Sequence, residues 1–310
     1  MAMNGAYFNG LDANGQQSAL ANIPGSATTD YILFSLNVAS GTSADINYGW
    51  NFGCVLAHDG KATSEVDKIL TPIVKAGVTK GKCQRIWLAI GAAVWEDTKK
   101  HQQQTSVFAN IQTILDHGGA LQSTLLANFR AIVQAVKNAG VKEVGFDMDY
   151  EESPQYIASR VANVTLALYD ELKCPVTFCP YQGLVPGQQS PWITALQQVY
   201  SAETKQKEKK VQPVVGFNLQ TYAGGSGNDP TKWVDAIKAV QNTGVGIPAS
   251  FVWPIVSCDR DARPVTPSDK LADKLKAWKS KGASLWATQP PGQPPADLKA
   301  YSAAIAQGIA

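Results

Sequence analysis

At 310 residues the chain can bury one large core, and a single barrel of about 250 residues or more fits inside it. With 45% hydrophobic and 17% charged residues it has the balance of an ordinary globular protein, and the absence of any run of about 18 apolar residues gives no reason to expect a membrane partner. A net charge of +2 likewise gives no electrostatic reason to expect nucleic acid.

The chain starts without a charged and then apolar leader, and Met1 runs almost at once into a strand predicted at Gly5–Phe8. The protein is therefore expected to be cytoplasmic, or secreted with its leader already removed. From there short apolar runs alternate with longer amphipathic stretches. The runs are Ala6–Phe8, Tyr31–Val38, Arg85–Ile90, Glu143–Tyr150, Pro175–Pro180, Pro213–Tyr222, Pro248–Val256 and Ala283–Ala287. Between them apolar residues recur three and four apart, as at Leu125, Phe129, Ile132, Val133 and Val136, at Trp233, Ile237 and Val240, and at Leu298, Tyr301 and Ile305. Gly140 and Gly282 are placed to end helices in a left-handed conformation.

Eight β/α alternations predict a parallel sheet closed into a (β/α)8 barrel, one domain over residues 1–310. An open doubly wound sheet is the competitor. After the first run, however, the chain reads Asn9-Gly10-Leu11-Asp12-Ala13 rather than a glycine-rich phosphate loop. The five cysteines, Cys54, Cys83, Cys174, Cys179 and Cys258, form no disulfide framework or zinc motif. Cys174 and Cys179 should face opposite sides of their strand, roughly 16 Å apart by its rise. The basic run Lys205–Lys210 reads as a solvated segment, and His58, His101 and His117 as loop or helix residues outside any catalytic group.

The most informative segment is Val144-Gly145-Phe146-Asp147-Met148-Asp149-Tyr150-Glu151. Strand side chains alternate, so Asp147, Asp149 and Glu151 share one face and Phe146, Met148 and Tyr150 the other. In a barrel the apolar face meets the helices and the acids face the interior. Buried like charges need a partner, a shared proton or a task. Glu151 stands outermost, at the strand end where barrel active sites lie, and crowding by the two Asp residues is expected to keep it protonated as an acid.

This segment resembles the family 18 glycoside hydrolase signature D-G-x-D-x-D-x-E, matching at Gly145, Asp147, Asp149 and Glu151 and departing at Val144. Four further segments fall in the same order. Leu88-Ala89-Ile90-Gly91-Ala92 looks like the family's third-strand segment. Thr177-Phe178-Cys179-Pro180-Tyr181 and Gln220-Thr221-Tyr222 are similar to the fifth and sixth strand ends of hevamine-type class III chitinases, and Leu285-Trp286-Ala287 looks like the eighth-strand Trp under the sugar site. The resemblance implies a chitinase-like enzyme acting without cofactor or metal on chitin or another N-acetylglucosamine-containing glycan, as a monomer. It implies Glu151 as the acid, Asp149 as the group orienting the substrate's acetamido N–H, and Asp147 as its proton-sharing partner. Tyr222 would hydrogen-bond the acetamido carbonyl. Trp286, Gln220, Tyr181 and Tyr7 would contact sugar, the first Asp of the signature would lie deep in the barrel, and Trp286–Ala287 would be a cis bond. Residues 257–282, between the seventh run and the eighth, are too few for the α+β insertion that walls the cleft in processive members, which implies internal cleavage.

Three other readings stay open on these residues: a catalytically silent sugar-binding protein on the same barrel, an endo-β-N-acetylglucosaminidase acting on N-glycans, and a divalent-metal site for phosphoryl transfer. Such silent members commonly lose the Glu or the Asp two before it, and both stand here. No phosphate loop accompanies the acids.

Overall fold

The computed structural model of the chain describes residues 2–9, 13–39, 43–49, 54–91, 94–98, 101–105, 107–151, 157–205, 212–222, 227–241, 251–261, 263–288 and 293–309. Side chains at 13–15, 94–98, 101–105, 202–205 and 241 also lie outside the described set, as does most of the basic run at Lys205–Lys210.

All eight apolar runs form strands: β1 (Met3–Phe8), β2 (Asp30–Val38), β6 (Arg85–Gly91), β9 (Glu143–Asp149), β10 (Val176–Phe178), β11 (Val214–Gln220), β12 (Val252–Ser257) and β13 (Gly282–Trp286). They pair in parallel in that order, and β13 returns to β1, closing the sheet into a (β/α)8 barrel. The connecting helices are α1 (Ala13–Asn22), α2 (Ser64–Lys80), α3 (Val107–His117), α4 (Gly119–Asn138), α5 (Ala158–Leu172), α6 (Pro191–Lys205), α7 (Pro230–Gln241) and α8 (Ser268–Ala277), with α9 (Leu298–Gly308) after the last strand.

Two additions were not legible in the periodicity. An antiparallel extension of β2 runs through β3 (Ile46–Tyr48), β4 (Val55–His58) and β5 (Lys61–Ala62), and a hairpin of β7 (Val94–Thr98) with β8 (His101–Thr105) follows β6. Their strands are five residues long or fewer, without the long apolar run of a stave buried on both faces. His58 and His101 therefore lie on strands, contrary to expectation, while His117 ends α3. Between β12 and β13 the described structure contains one helix, α8.

Strand alternation splits the core in two. Phe146, Met148 and Tyr150 join the large cluster between barrel and helices, while Tyr7, Phe34, Trp87, Cys179, Trp253 and Tyr222 pack inside the barrel. Cys174 belongs to the outer cluster and Cys179 to the inner, on opposite sides as expected, and all five cysteines are free.

Val144 belongs to the outer cluster too, at 3% exposure, so the first signature position faces the helices rather than the barrel depth. An apolar residue there satisfies its surroundings, and the departure takes nothing from the interior.

Two indoles fill the lower barrel, and glycines on the facing staves make room for them. A Cβ on Gly145 would meet the Trp87 ring at 2.4 Å, and one on Gly216 the Trp253 ring at 2.2 Å. Gly282 has the same reason, 2.6 Å from Trp253, and opens β13 rather than ending a helix. The left-handed residue after α8 is Lys279 at φ 52, whereas Gly140, at φ 111, does follow α4 as expected.

The floor of the barrel is tied by Asp30, which is fully buried and receives Arg85 Nη2 at 2.8 Å, Trp87 Nε1 at 3.0 Å and Thr29 Oγ1 at 2.6 Å. Removing one partner of such a pair strands the other charge in the interior. Arg85→Met is therefore expected to destabilise the protein by about 3–5 kcal/mol in urea unfolding. In an Asp30→Asn background the same change should cost distinctly less; an equal loss in both backgrounds would show that the arginine acts through packing alone.

Candidate active site

β9 carries the acids. Asp147 and Asp149 are buried in the interior at 0% and 3% exposure, and Glu151, two residues beyond, is half-buried at the strand's C-terminal end. No cation is among the groups that shift their protonation; neutral donors from three other staves surround them instead.

Asp147 is the most fully satisfied. Tyr7 Oη of β1 donates to its Oδ2 at 2.7 Å, and Thr177 Oγ1 of β10 and Asn218 Nδ2 of β11 donate to its Oδ1 at 2.6 and 2.9 Å. Burial pushes its pKa up, and these three bonds pull it back. Asp149 and Glu151 are bridged by one amide, Gln220 Nε2, at 3.0 Å from Asp149 Oδ1 and 2.7 Å from Glu151 Oε1.

Burial raises Asp149 well above the carboxylate range, and the charges of Glu151 and Asp147 raise it further. Glu151 is also raised, by burial, while its bonds with Gln220 and Asp149 oppose the rise. The expected like-charge crowding acts between Asp149 and Glu151, with Asp149 having a carboxylate on either side, and burial is the largest cause at both. Burial thus shifts the outer acid toward its protonated form.

Around the acids lies an aromatic group. Trp286, half-buried at the end of β13, packs edge-on against Tyr7 and Phe34, with ring centroids 5.5 and 4.9 Å away. Tyr222 faces Trp286 almost in parallel, 12° apart in plane with centroids 6.1 Å apart. The Tyr222 segment is pinned to β12 through Thr221, whose Oγ1 donates to Ile255 O at 2.6 Å. Burial, and then the charges of Cys179, Asp149 and Glu151, hold the Tyr222 hydroxyl protonated, so that it can act as a donor. Trp286–Ala287 is cis, as the resemblance implies, and so is Phe34–Ser35.

Of the residues singled out in the sequence, Asp147, Asp149, Glu151, Gln220, Tyr222, Tyr7 and Trp286 come together. Tyr181 sits at the rim, where its carbonyl accepts from Asn228 Nδ2 at 3.3 Å. Thr177, Asn218 and Phe34 were missed, as was Cys179, whose Sγ lies 3.6 Å from both Tyr7 Oη and Gln220 Nε2. The signal was available: Thr177 and Cys179, like Asn218, Gln220 and Tyr222, follow the same two-residue step as the acids and so face the same interior.

The donor set does not favour a cation. Asp147 is engaged by three protein donors, and a metal between Asp149 and Glu151 would meet the Gln220 N–H group. His58 and His117 line a separate cavity of about 680 Å³ beside the N-terminus of α4, where His58 pairs with Asp45 at 2.7 Å and Asp59 at 3.1 Å.

No family model matches the chain, and no curated protein matches it. Solved structures do. A family 18 glycoside hydrolase chitinase from Pseudoalteromonas aurantia superposes with a TM-score of 0.60 at 15% identity, over 98% of this chain and 99% of that one. A family 18 chitinase from Cycas revoluta, solved in complex with (GlcNAc)3, gives 0.52 at 10% identity over 98% and 97%. Chitinase ChiC from Aspergillus fumigatus gives 0.51 at 12% identity over 94% and 95%. The chain thus shares the barrel fold of family 18 chitinases over nearly its whole length.

The raised acids have a consequence for stability. Asp149 and Glu151 bind their protons more tightly folded than unfolded, so their contribution is fully present below the ordinary carboxyl values of about 3.9 to 4.3. It is lost as pH climbs through the raised folded values. Asp149→Asn and Glu151→Gln, uncharged and isosteric, are expected to raise the melting temperature at neutral pH. The gain should shrink to nothing near about pH 3. Thermal unfolding against pH checks this, and a gain that persisted undiminished in acid would contradict it.

Proposed function

We propose that this protein hydrolyses β-1,4-linked N-acetylglucosamine polymers of the chitin type, with retention, using the substrate's own acetamido group as nucleophile and Glu151 as general acid. The observation that carries the reading is the bridge of Asp149 and Glu151 by one amide nitrogen on one side of the barrel mouth, beside Trp286 and Tyr222. Most glycosidases set two carboxylates across the scissile bond. Acids this close suit retention rather than inversion, and the likeness of their strand to the family 18 signature supports the sugar's own acetamido group as the nucleophile.

Desolvation keeps the proton on Glu151, from which it passes to the glycosidic oxygen as the bond from that oxygen to the anomeric carbon breaks. The acetamido oxygen forms the new bond to the anomeric carbon, giving an oxazolinium ion. Asp149 shares its proton with Asp147, and in its carboxylate form it accepts the acetamido N–H and stabilises the developing positive charge. Asp147, already bonded to Tyr7, Thr177 and Asn218, anchors the inner end of this acid pair. Tyr222 donates to the acetamido carbonyl and holds it in line for attack, a contribution of proximity. Water then bonds to the anomeric carbon as the bond from that carbon to the acetamido oxygen breaks, and Glu151, now a carboxylate, takes the water's proton. The (GlcNAc)3 bound to the Cycas revoluta chitinase, a protein of the same fold, supports an aminosugar oligomer as the ligand class. The span of residues 258–281, whose described part contains one helix, is too short for a walling insertion, which suits internal cleavage.

Glu151→Gln is expected to lower hydrolysis of chitotetraose by about 10²–10⁴-fold, and unchanged activity would remove the reading. A high-mannose glycopeptide assayed in parallel should stay intact. Tyr222→Phe should lower kcat by roughly tenfold through lost positioning of the acetamido group, with little effect on KM. Product analysis on longer oligomers should give fragments of mixed length; disaccharides released only from one terminus would contradict internal cleavage.

A further inference from the structure

Gln220 holds the acid pair, and what holds Gln220 lies outside the group of residues that can touch a sugar. Asn228 stands just before α7. Asp229 caps that helix, its Oδ1 accepting from Thr231 N at 2.8 Å and Thr231 Oγ1 at 2.7 Å, and Pro230 supplies the preset φ of a first helical residue. Asn228 is thereby fixed at the end of a rigid element, with its side chain turned inward at 4% exposure.

Its amide serves both ends. Asn228 Nδ2 donates to Gln220 O at 2.9 Å and lies 3.3 Å from both Pro180 O and Tyr181 O, while its Oδ1 accepts from Trp233 Nε1 at 2.9 Å. Trp233 is wholly buried in the outer core. The ladder between the fifth and sixth staves ends close by, at the bond from Gln220 N to Pro180 O of 3.2 Å. A single carboxamide thus continues the pairing of two parallel staves beyond the last backbone rung.

We propose that Asn228 is a positioning residue for the acid pair: it locks the backbone of Gln220 so that the Gln220 amide stays between Asp149 and Glu151. The inference rests on the reading of Glu151 as the acid, and it concerns a residue that touches neither acid. A shift of about 1 Å in a catalytic group is enough to cost on the order of 10²-fold in rate, and Gln220 has no other side-chain anchor on its carbonyl among the described contacts. Loosening it weakens an N–H bond that favours the carboxylate form of Glu151. The acid should then hold its proton to higher pH.

The test follows the Glu151 carboxyl by NMR in protein labelled with ¹³C at glutamate side chains, with its resonance identified by its loss in Glu151→Gln. Asn228→Ala is expected to move the Glu151 titration to higher pH, as Gln220→Ala does, and the double variant should move it no further than Gln220→Ala alone. On chitotetraose, kcat should fall by about tenfold or more with KM changing less, and the alkaline limb of the rate profile should move up with the titration. Trp233→Phe, which keeps the bulk but removes the bond to Asn228 Oδ1, should shift the titration in the same direction by less, and gives the readout if Asn228→Ala does not fold. A lowered melting temperature with an unmoved Glu151 titration, or shifts that add fully in the double variant, would overturn the proposal. Failure of the wild-type protein to hydrolyse chitotetraose would instead remove the functional reading, and the titration would still decide the role of Asn228.

Discussion

Three carboxyl groups enter the barrel on a single stave, and no cation is among the groups that shift their protonation. An ionised carboxylate in such a place is tolerated only if hydrogen bonds replace its lost water, or if it takes a proton. Both happen. Asp147 collects three neutral donors from three different staves, and Asp149 and Glu151 are driven toward protonation and share one amide. Barrel closure completes the set: β10 and β11 follow β9 in the sheet, but only a closed sheet brings Tyr7 of β1 across the interior to Asp147.

The gradient along the stave follows from depth. The innermost acid is raised by burial against the pull of three donors. The middle one has a negative neighbour on each side and rises furthest, while the outermost rises through desolvation against the pull of its bonds. Three residues at one spacing in sequence therefore come to lie in three different environments, each pushed upward by burial and opposed to a different degree by its own neighbours.

The lower barrel shows the same dependence on closure. Trp87 and Trp253 occupy the space that side chains on Gly145, Gly216 and Gly282 would need, and Asp30 joins Arg85 and Trp87 beneath them. A packed, cross-linked floor fixes the height of each stave, and the height of β9 sets where Glu151 emerges. Precision at the mouth is inherited from the floor.

The order of the strands, the barrel, and the inward direction of Asp147, Asp149 and Glu151 were all legible in the sequence, because apolar runs and two-residue alternation are local properties of the chain. The order of the motifs likewise marked Gln220, Tyr222 and Trp286. Local pattern could not reveal which residues meet across the barrel. Thr177, Asn218 and Phe34 are unremarkable in their own strands, and the inserted β3–β5 and β7–β8 pairs are too short for periodicity to register. The sequence also misassigned the reason for Gly282, since close packing depends on distances between staves far apart in the chain. Tertiary structure alone decided those, for the physical reason that hydrogen bonds, desolvation and van der Waals exclusion act over a few ångströms of space, whatever the separation in sequence.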